Sequence, residues 1–257
     1  MSGPLPPTAD GPQLGPFQGD IGSIRFQRLL SPDSVGSNAS QVPHGEVFQF
    51  NFFSLDELRP FLPFTGHLLK DEWVRYQLDP FYAECRAFGR LVEKGRDEEL
   101  AVRCHGYALL PPKVERQIKQ QFGIDGWNRK EEDKDLPLRA IVKSLIRWKT
   151  VQHRRKLSVM RSILEALNEE LSIYNMDIRE DNYLGGRLFD FSVAITVPHI
   201  SFSSTLRSEQ QILQDMTDDL ACFDCMVERI QEQKEKAERE NPDWKKRTRV
   251  GTSLSRS

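Results

Sequence analysis

Residues 176–194 read MDIREDNYLGGRLFDFSVA, and three polar residues recur there in a defined order. Asp177 and Asn182 are five positions apart, and Asp190 follows a Gly-Gly pair. Two adjacent glycines between short apolar segments predict a tight turn. The simplest interpretation is therefore a β-hairpin whose acidic residues face water.

The same order is also that of a kinase-type phosphotransfer site. In such a site an Asp orients the acceptor hydroxyl, an Asn on the same loop holds a metal, and the Asp of a D-F-x triplet holds the metal that bridges the ATP phosphates. Because phosphoryl transfer depends mostly on positioning and charge neutralisation, the three oxygen ligands must converge on one small volume. On this interpretation Asp177, Asn182 and Asp190 meet at a cleft. The spacing alone does not choose between this site and the hairpin.

Length and composition narrow the class of protein. A chain of 257 residues suits one domain of ordinary size or two small ones. Its 36 Lys and Arg nearly balance 38 Asp and Glu, so no direct nucleic-acid partner is predicted. No apolar run approaches the ~20 residues that span a bilayer, and no leader opens the chain, so we expect an intracellular protein that is neither secreted nor membrane-bound. The four scattered cysteines predict free thiols.

The chain before residue 150 alternates strand and helix signals. Residues 1–20 are rich in Pro and Gly and predict a disordered arm. Residues 45–52 alternate apolar and polar side chains, as strands do, and residues 100–110 and 138–146 also read as strands. Asp79-Pro80 opens a well-defined helix that ends near Gly95.

Glu84 lies in the first turns of that helix. In a kinase-like fold it would pair with a lysine on the preceding strand, but no lysine occurs before Lys70. Lys143 is on a strand that follows the helix, and we expect it to be a surface residue. A solvent-facing Glu84 is the alternative.

Two helices are predicted after residue 150. Residues 158–172 carry an apolar stripe at three-and-four spacing, which predicts packing against a core, and their end leads into Asp177. Residues 208–240 form a long and increasingly charged helix. Cys222 and Cys225 are three apart on it and, without further Cys or His, indicate a buried helix face rather than a zinc site.

Four blocks of sequence together resemble a known family. They are DPFYAECRAFGRL at 79–91, AVRCHGY at 101–107, PLRAIVKSLI at 137–146, and DIREDNY at 177–183 with DFS at 190–192. They resemble the fungal Fta-two family, kinase-like proteins named for a subunit of the Sim-four complex at the kinetochore. The resemblance covers roughly residues 45–202.

The resemblance implies an α+β, protein-kinase-like fold. Its N-terminal lobe, at about 21–147, would be truncated to a small antiparallel sheet plus one helix. Its C-terminal lobe, at about 148–205, would be short and mainly helical. A charged helix at 206–241 and a disordered basic tail at 242–257 would follow.

The resemblance also implies roles for single residues. Asp177 matches the catalytic-loop Asp, Asn182 and Asp190 match the nucleotide- and Mg²⁺-binding residues, and Glu84 matches the helix glutamate of the ion pair. Three departures weaken catalysis. The loop's His-Arg pair is Asn175-Met176, the Gly of D-F-G is Ser192, and the lysine-bearing strand is missing near residues 48–53. Loss of that lysine would cost on the order of 10²–10³ in rate.

These departures favour one functional hypothesis over two others. The first is a catalytically impaired, kinase-like interaction module, a kinetochore subunit located in the nucleus or the cytoplasm. Asp177 would be vestigial, and protein partners would bind the helix at 208–240. The second is an active phosphotransferase that depends on ATP and Mg²⁺. The third, a helical adaptor with coincidental kinase-like residues, fits the 79–91 block least well.

Overall fold

A computed structural model describes residues 11–21, 46–50, 55–58, 60, 69–123, 127, 129, 131–144 and 154–240. Three regions with sequence-based predictions lie outside these ranges: residues 1–10 of the predicted arm, the predicted tail at 242–257, and residues 51–53 of the junction where the lysine-bearing strand is missing. The strands are β1 (Glu46–Phe50), β2 (Cys104–Leu110), β3 (Leu138–Lys143), β4 (Ile173–Tyr174), β5 (Tyr183–Leu184), β6 (Arg187–Leu188) and β7 (Ile195–Thr196). The helices are α1 (Leu55–Leu58), α2 (Asp71–Leu78), α3 (Pro80–Glu93), α4 (Asp97–Leu100), α5 (Pro112–Phe122), α6 (Arg154–Glu169) and α7 (Glu209–Glu240), with 3-10 turns at Glu131–Asp133, Glu180–Asn182 and Ile200–Phe202.

The first three strands form one antiparallel sheet in the order β1-β3-β2. The central strand β3 pairs with both neighbours, and Ile141 lies opposite Phe48 on one side and Tyr107 on the other. Because side chains alternate along a strand, β3 contributes residues to two hydrophobic cores, one on each face of the sheet. Ile141 joins the core formed with α3, whereas Leu138 and Val142 join a second core with α5.

Helix α3 is the element that connects this sheet to the rest of the molecule. Its start is capped by Asp79, whose Oδ1 accepts from the Phe81 N–H at 3.0 Å, and Pro80 occupies the first turn. The helix predicted from this pattern is therefore present. It is not the sole helix beside the sheet, since α2 packs against it and α5 covers the opposite face of the sheet.

Residues 11–21, which we call the strap, pack onto the sheet edge. Leu14 is 4% exposed, and the Phe17 N–H donates to the Tyr107 carbonyl at 2.8 Å. The disordered arm predicted for residues 1–20 is therefore wrong for residues 11–20. Composition indicated disorder because Pro and Gly lower the mean hydropathy, but the apolar residues that remain are the ones that bind the sheet.

The second half of the chain is built on α6. Its predicted apolar stripe is buried, namely Leu157, Met160, Ile163, Leu164, Leu167 and, just beyond the helix, Leu171. Strands β4 and β7 pair with each other, and β5 and β6 form the two-glycine hairpin. Residues 193–202 contain β7 followed by a 3-10 turn.

Helix α7 packs against α6 and is part of the domain rather than a separate appendage. Its buried residues are Asp219, Phe223, Met226 and Ile230. Cys222 and Cys225 are exposed, which corrects the expectation that they mark a buried face. Among the described residues, no helix combines the length and the apolar character needed to cross a membrane.

Candidate functional site

A buried ion pair between Lys143 and Glu84 lies where the sheet, α3 and the 175–192 loop meet. The Lys143 Nζ is 2.7 Å from the Glu84 Oε2, and each side chain is 1% exposed. The expectation that Lys143 is a surface residue is wrong, and so is the alternative of a solvent-facing Glu84. Lys143 ends the central strand β3, on the face that packs against α3, so its side chain points into the core.

The same pair binds the backbone on both sides of Asp190. The Lys143 Nζ donates to the Phe189 carbonyl at 2.6 Å, and the Phe191 N–H donates to the Glu84 Oε1 at 2.7 Å. Burial raises the pKa of Glu84 to about 7, although Lys143 opposes the shift. Asp190 adds to the rise in the pKa because its negative charge lies near Glu84.

Two arginines fix α3 to the second half of the chain. Arg86, 1% exposed, donates to the carbonyls of Thr196 (2.8 Å) and Pro198, and Arg90 donates to the carbonyl of Val197 at 2.8 Å. Charged donors to carbonyls are among the stronger hydrogen bonds. Helix α3 is thus held on one side by Glu84 and on the other by these arginines.

The predicted loop residues Asp177 and Asn182 meet directly. The Asn182 Nδ2 donates to the Asp177 Oδ2 at 3.0 Å and to the Asp177 carbonyl at 2.8 Å. Arg179 reaches the same carboxylate, with its Nη2 3.1 Å from the Asp177 Oδ2. The hairpin formed by β5 and β6 lies between this contact and Asp190, so the hairpin and the polar cluster coexist.

Asp190 is joined to the loop through Asn175. The Asn175 Nδ2 donates to the Asp190 carbonyl at 2.7 Å, while its Oδ1 accepts from the Asp177 N–H at 3.2 Å. The Asp190 carboxylate accepts from the Ser192 N–H at 2.9 Å and so closes its own turn. Asn175, noted in the sequence only as a departure from His, therefore connects the two acidic segments.

Asp219 on α7 holds the start of the loop. Its two oxygens accept from the N–H groups of Asn175 (2.6 Å) and Met176 (2.8 Å). With the oxygen and nitrogen of its side-chain amide exchanged, which satisfies the hydrogen bonding of both atoms, Asn168 also donates to the Asp219 Oδ2 at 3.1 Å. Burial raises the pKa of Asp219 to about 6, against the lowering effect of the two backbone hydrogen bonds.

The structure therefore unites Asp177 with Asn182 and links Asp190 to them through Asn175. The connecting contacts are made by Lys143, Asn175 and Asp219, and the sequence indicated this role for none of them. Among the described residues, no group of three or more His, Cys, Asp or Glu side chains could hold a metal ion. The oxygen atoms of Asn182 and Asp190 are of the type that Mg²⁺ prefers.

Comparison with known proteins identifies a family. A family model described as "Kinetochore Sim4 complex subunit FTA2" matches residues 2–195. The matched range contains the strap, α3, Lys143 and the loop as far as Asp190, and it ends before α7. Neither a curated protein nor a solved structure matches the chain.

Proposed function

The chain belongs to the Kinetochore Sim4 complex subunit FTA2 family, and we propose that it acts as a protein-interaction module with a kinase-like, catalytically impaired fold. The family is one of kinetochore subunits, which implies protein partners and a nuclear location at the kinetochore. Three parts of the proposal go beyond the family: the kinase-like fold, the impaired catalysis, and the contacts that hold the module together.

The observation that carries the proposal is the closed junction at Lys143. In a kinase the lysine of the ion pair lies on the strand before the glutamate helix and also reaches the ATP phosphates. Here the lysine comes from β3, which follows α3 in the chain. Its Nζ is occupied by Glu84 and by the Phe189 carbonyl, and its side chain is 1% exposed. An anion could reach it only by displacing contacts that hold the loop.

The fixed position of α3 also supports a structural role. An active kinase uses movement of this helix to assemble and break its ion pair. In this chain Arg86 and Arg90 tie α3 to carbonyls of residues 196–198. A helix anchored at both faces suits a scaffold that presents constant surfaces to partners.

Helix α7 supplies a surface of the kind such a module needs. Its described buried residues end at Ile230, and the ten residues that follow, 231–240, are mostly exposed and charged. At 1.5 Å per residue this segment extends about 15 Å past the packed part. We propose it as the partner-binding part of the module.

Localisation of the tagged full-length chain tests the proposal. We expect Asp177→Asn and Asp190→Asn to leave the kinetochore signal unchanged, because both substitutions keep an acceptor oxygen and remove only the acidic chemistry. Lys143→Met should reduce the signal, because it opens the junction. Loss of the signal in Asp177→Asn, with thermal unfolding unchanged, would contradict the proposal.

A second candidate function is an ATP- and Mg²⁺-dependent phosphotransferase. The observation that favours it is the direct contact between Asp177 and Asn182, with Arg179 beside them. In that case Asn182 and Asp190 would hold Mg²⁺, which would supply charge neutralisation at the phosphates. A thermal shift with Mg·ATP that Asp190→Asn removes would support this candidate, and no shift at millimolar nucleotide would reject it.

A further inference from the structure

The strap crosses from one core of the small sheet to the other. Leu14 belongs to the core that α3 shares with β3, whereas Phe17 and Ile21 pack against the core on the α5 side. Between them the backbone follows the outer edge of β2, since the Tyr107 N–H donates to the Gly15 carbonyl at 3.1 Å and the Phe17 N–H donates to the Tyr107 carbonyl at 2.8 Å. This is the pattern of a peptide that adds to a sheet edge.

Two glycines of the domain make room for the strap backbone. A Cβ on Gly89 of α3 would lie 2.5 Å from the Gln13 carbonyl carbon, and a Cβ on Gly106 of β2 would lie 2.6 Å from the Phe17 nitrogen. Gly106 also has a φ of +124°, in the region that favours glycine. A glycine inside a helix costs about 1 kcal/mol relative to alanine, and at position 89 this cost is offset by the close approach of the strap.

The N-terminal part of the strap lies against α3, with Pro12 buried and Gly11 beside the Arg86 side chain. A surface cavity of about 540 Å³ lies where it crosses α3. The cavity is lined by Gly11, Pro12 and Gln13 on the strap side and by Gly89, Arg90 and Glu93 on the helix side. Pro12 and Leu14 are buried and Phe17 is partly buried, so apolar contacts hold the strap along this stretch.

We propose that the groove between α3 and the outer edge of β2 is a docking site for an extended peptide, which this chain fills with its own residues 11–17. The ligand class is defined by the groove: a leucine and, three residues later, a phenylalanine as apolar anchors, and an intervening backbone that pairs with Tyr107. The inference is independent of any catalytic role of the loop.

A labelled peptide of residues 9–20 tests the site on the full-length protein. The wild-type groove is filled in cis, so we expect weak binding. Leu14→Asp releases the anchor of the chain's own strap, so this variant should bind the peptide at least tenfold more tightly than the wild type. The double variant Leu14→Asp/Gly89→Ala should lose that binding, whereas Leu14→Asp/Val92→Ala, altered at an exposed position of the same helix, should keep it. A peptide with Leu14→Asp should not bind.

Equal binding to wild type and Leu14→Asp, or binding to neither, would overturn the proposal. If Leu14→Asp does not fold, amide hydrogen exchange in the wild type and in Gly89→Ala tests the docking site instead. The Phe17 and Tyr107 amides should exchange slowly in the wild type, and Gly89→Ala should speed exchange at Phe17 at least tenfold while Val92→Ala does not. Rapid exchange at Phe17 in the wild type would equally overturn the docking site.

Discussion

Two buried carboxylates hold the loop between β4 and β7 at its two ends, and they do so with different partners. Asp219 accepts from the N–H groups of Asn175 and Met176 at the start of the loop. Glu84 accepts from the Phe191 N–H near its end and also pairs with Lys143. Burial raises the pKa of both, to about 6 for Asp219 and about 7 for Glu84.

The two ends of the loop differ in which group is left unpaired in the core when one side chain is removed. Removing Lys143 leaves an uncompensated buried charge on Glu84, whereas removing the Asp219 carboxylate leaves neutral N–H groups without acceptors. An unpaired buried charge is the more costly of the two. A substitution at the Glu84 end of the loop should therefore cause the largest loss in the free energy of unfolding. A substitution at the Asp219 end should cause a smaller loss, and one at an exposed contact the smallest.

The largest effect is expected for Lys143→Met. We predict a loss of about 3–5 kcal/mol in the free energy of unfolding, because the substitution isolates Glu84 in the core. Urea unfolding at pH 8, where an isolated Glu84 is charged in the unfolded state, measures it. The double variant Lys143→Met/Glu84→Gln is the control. It removes both charges, keeps an acceptor for Phe191, and should recover at least half of the loss; no recovery would contradict an ion pair.

A smaller effect is expected for Asp219→Ala. It deprives the buried Asn175 N–H and the part-buried Met176 N–H of their acceptors. We expect a total loss of about 1–3 kcal/mol in the free energy of unfolding, because water can reach the part-buried group. Asp219→Asn keeps one oxygen acceptor and should cost less than Asp219→Ala by the same urea measurement. Equal costs for both variants would show that hydrogen bonding to the loop is not the role of Asp219.

The pH dependence of stability should separate Asp219 from His199, a buried histidine whose Nε2 lies 2.7 Å from the Gln77 carbonyl. The folded-state pKa of Asp219 is raised to about 6, so the folded chain binds more protons than the unfolded chain below that value, and the contribution of Asp219 to stability falls as pH rises from about 4 to 6. Burial lowers the folded-state pKa of His199 to about 4, so its contribution instead falls as pH drops from about 6.5 to 4.

Unfolding at pH 4.5 and pH 7 checks both signs. The stability difference between the wild type and Asp219→Asn should shrink towards pH 7, and the difference between the wild type and His199→Gln should grow towards pH 7. If both differences changed in the same direction between pH 4.5 and pH 7, this assignment of the two buried groups would be contradicted.

The smallest effect is expected for Arg179→Ala. Arg179 contacts Asp177 on the same loop, but its side chain is 58% exposed. Exposed ion pairs contribute about 0–1 kcal/mol because water and salt screen them. Thermal unfolding at low and at high salt should show a change of at most a few degrees, and a loss as large as that of Lys143→Met would show that the loop is held from its exposed side.

Local signals in the sequence predicted α3, α6 and α7. Asp79-Pro80 marked the start of α3 because the cap and the first-turn proline act within a few residues. The stripe of α6 was visible because core contacts recur at helical spacing. The direct contact of Asp177 and Asn182 is also local, since both residues lie on one loop. The kinase-like fold itself stays a prediction.

The connecting residues could not be predicted because they depend on contacts between distant segments. Lys143 is buried because β3 is the central strand, and strand order is not encoded within the strand. The sequence did contain one signal. Lys143 is two residues from Ile141, so both side chains lie on the same face of β3, the face towards α3. Asp219 was hidden among the acidic residues of α7, although it falls on the apolar stripe that continues with Phe223. Leu14 was missed because composition averages over the residues that anchor the strap.

Hydrogen exchange of the Phe191 amide tests most directly whether the Lys143–Glu84 junction is a closed structural element. We predict slow exchange in the wild type, a rate unchanged by millimolar Mg·ATP, and much faster exchange in Lys143→Met. Rapid exchange in the wild type would contradict a closed junction. A rate that Mg·ATP alters and Asp190→Asn restores would also contradict it, and would identify the junction as a working nucleotide site.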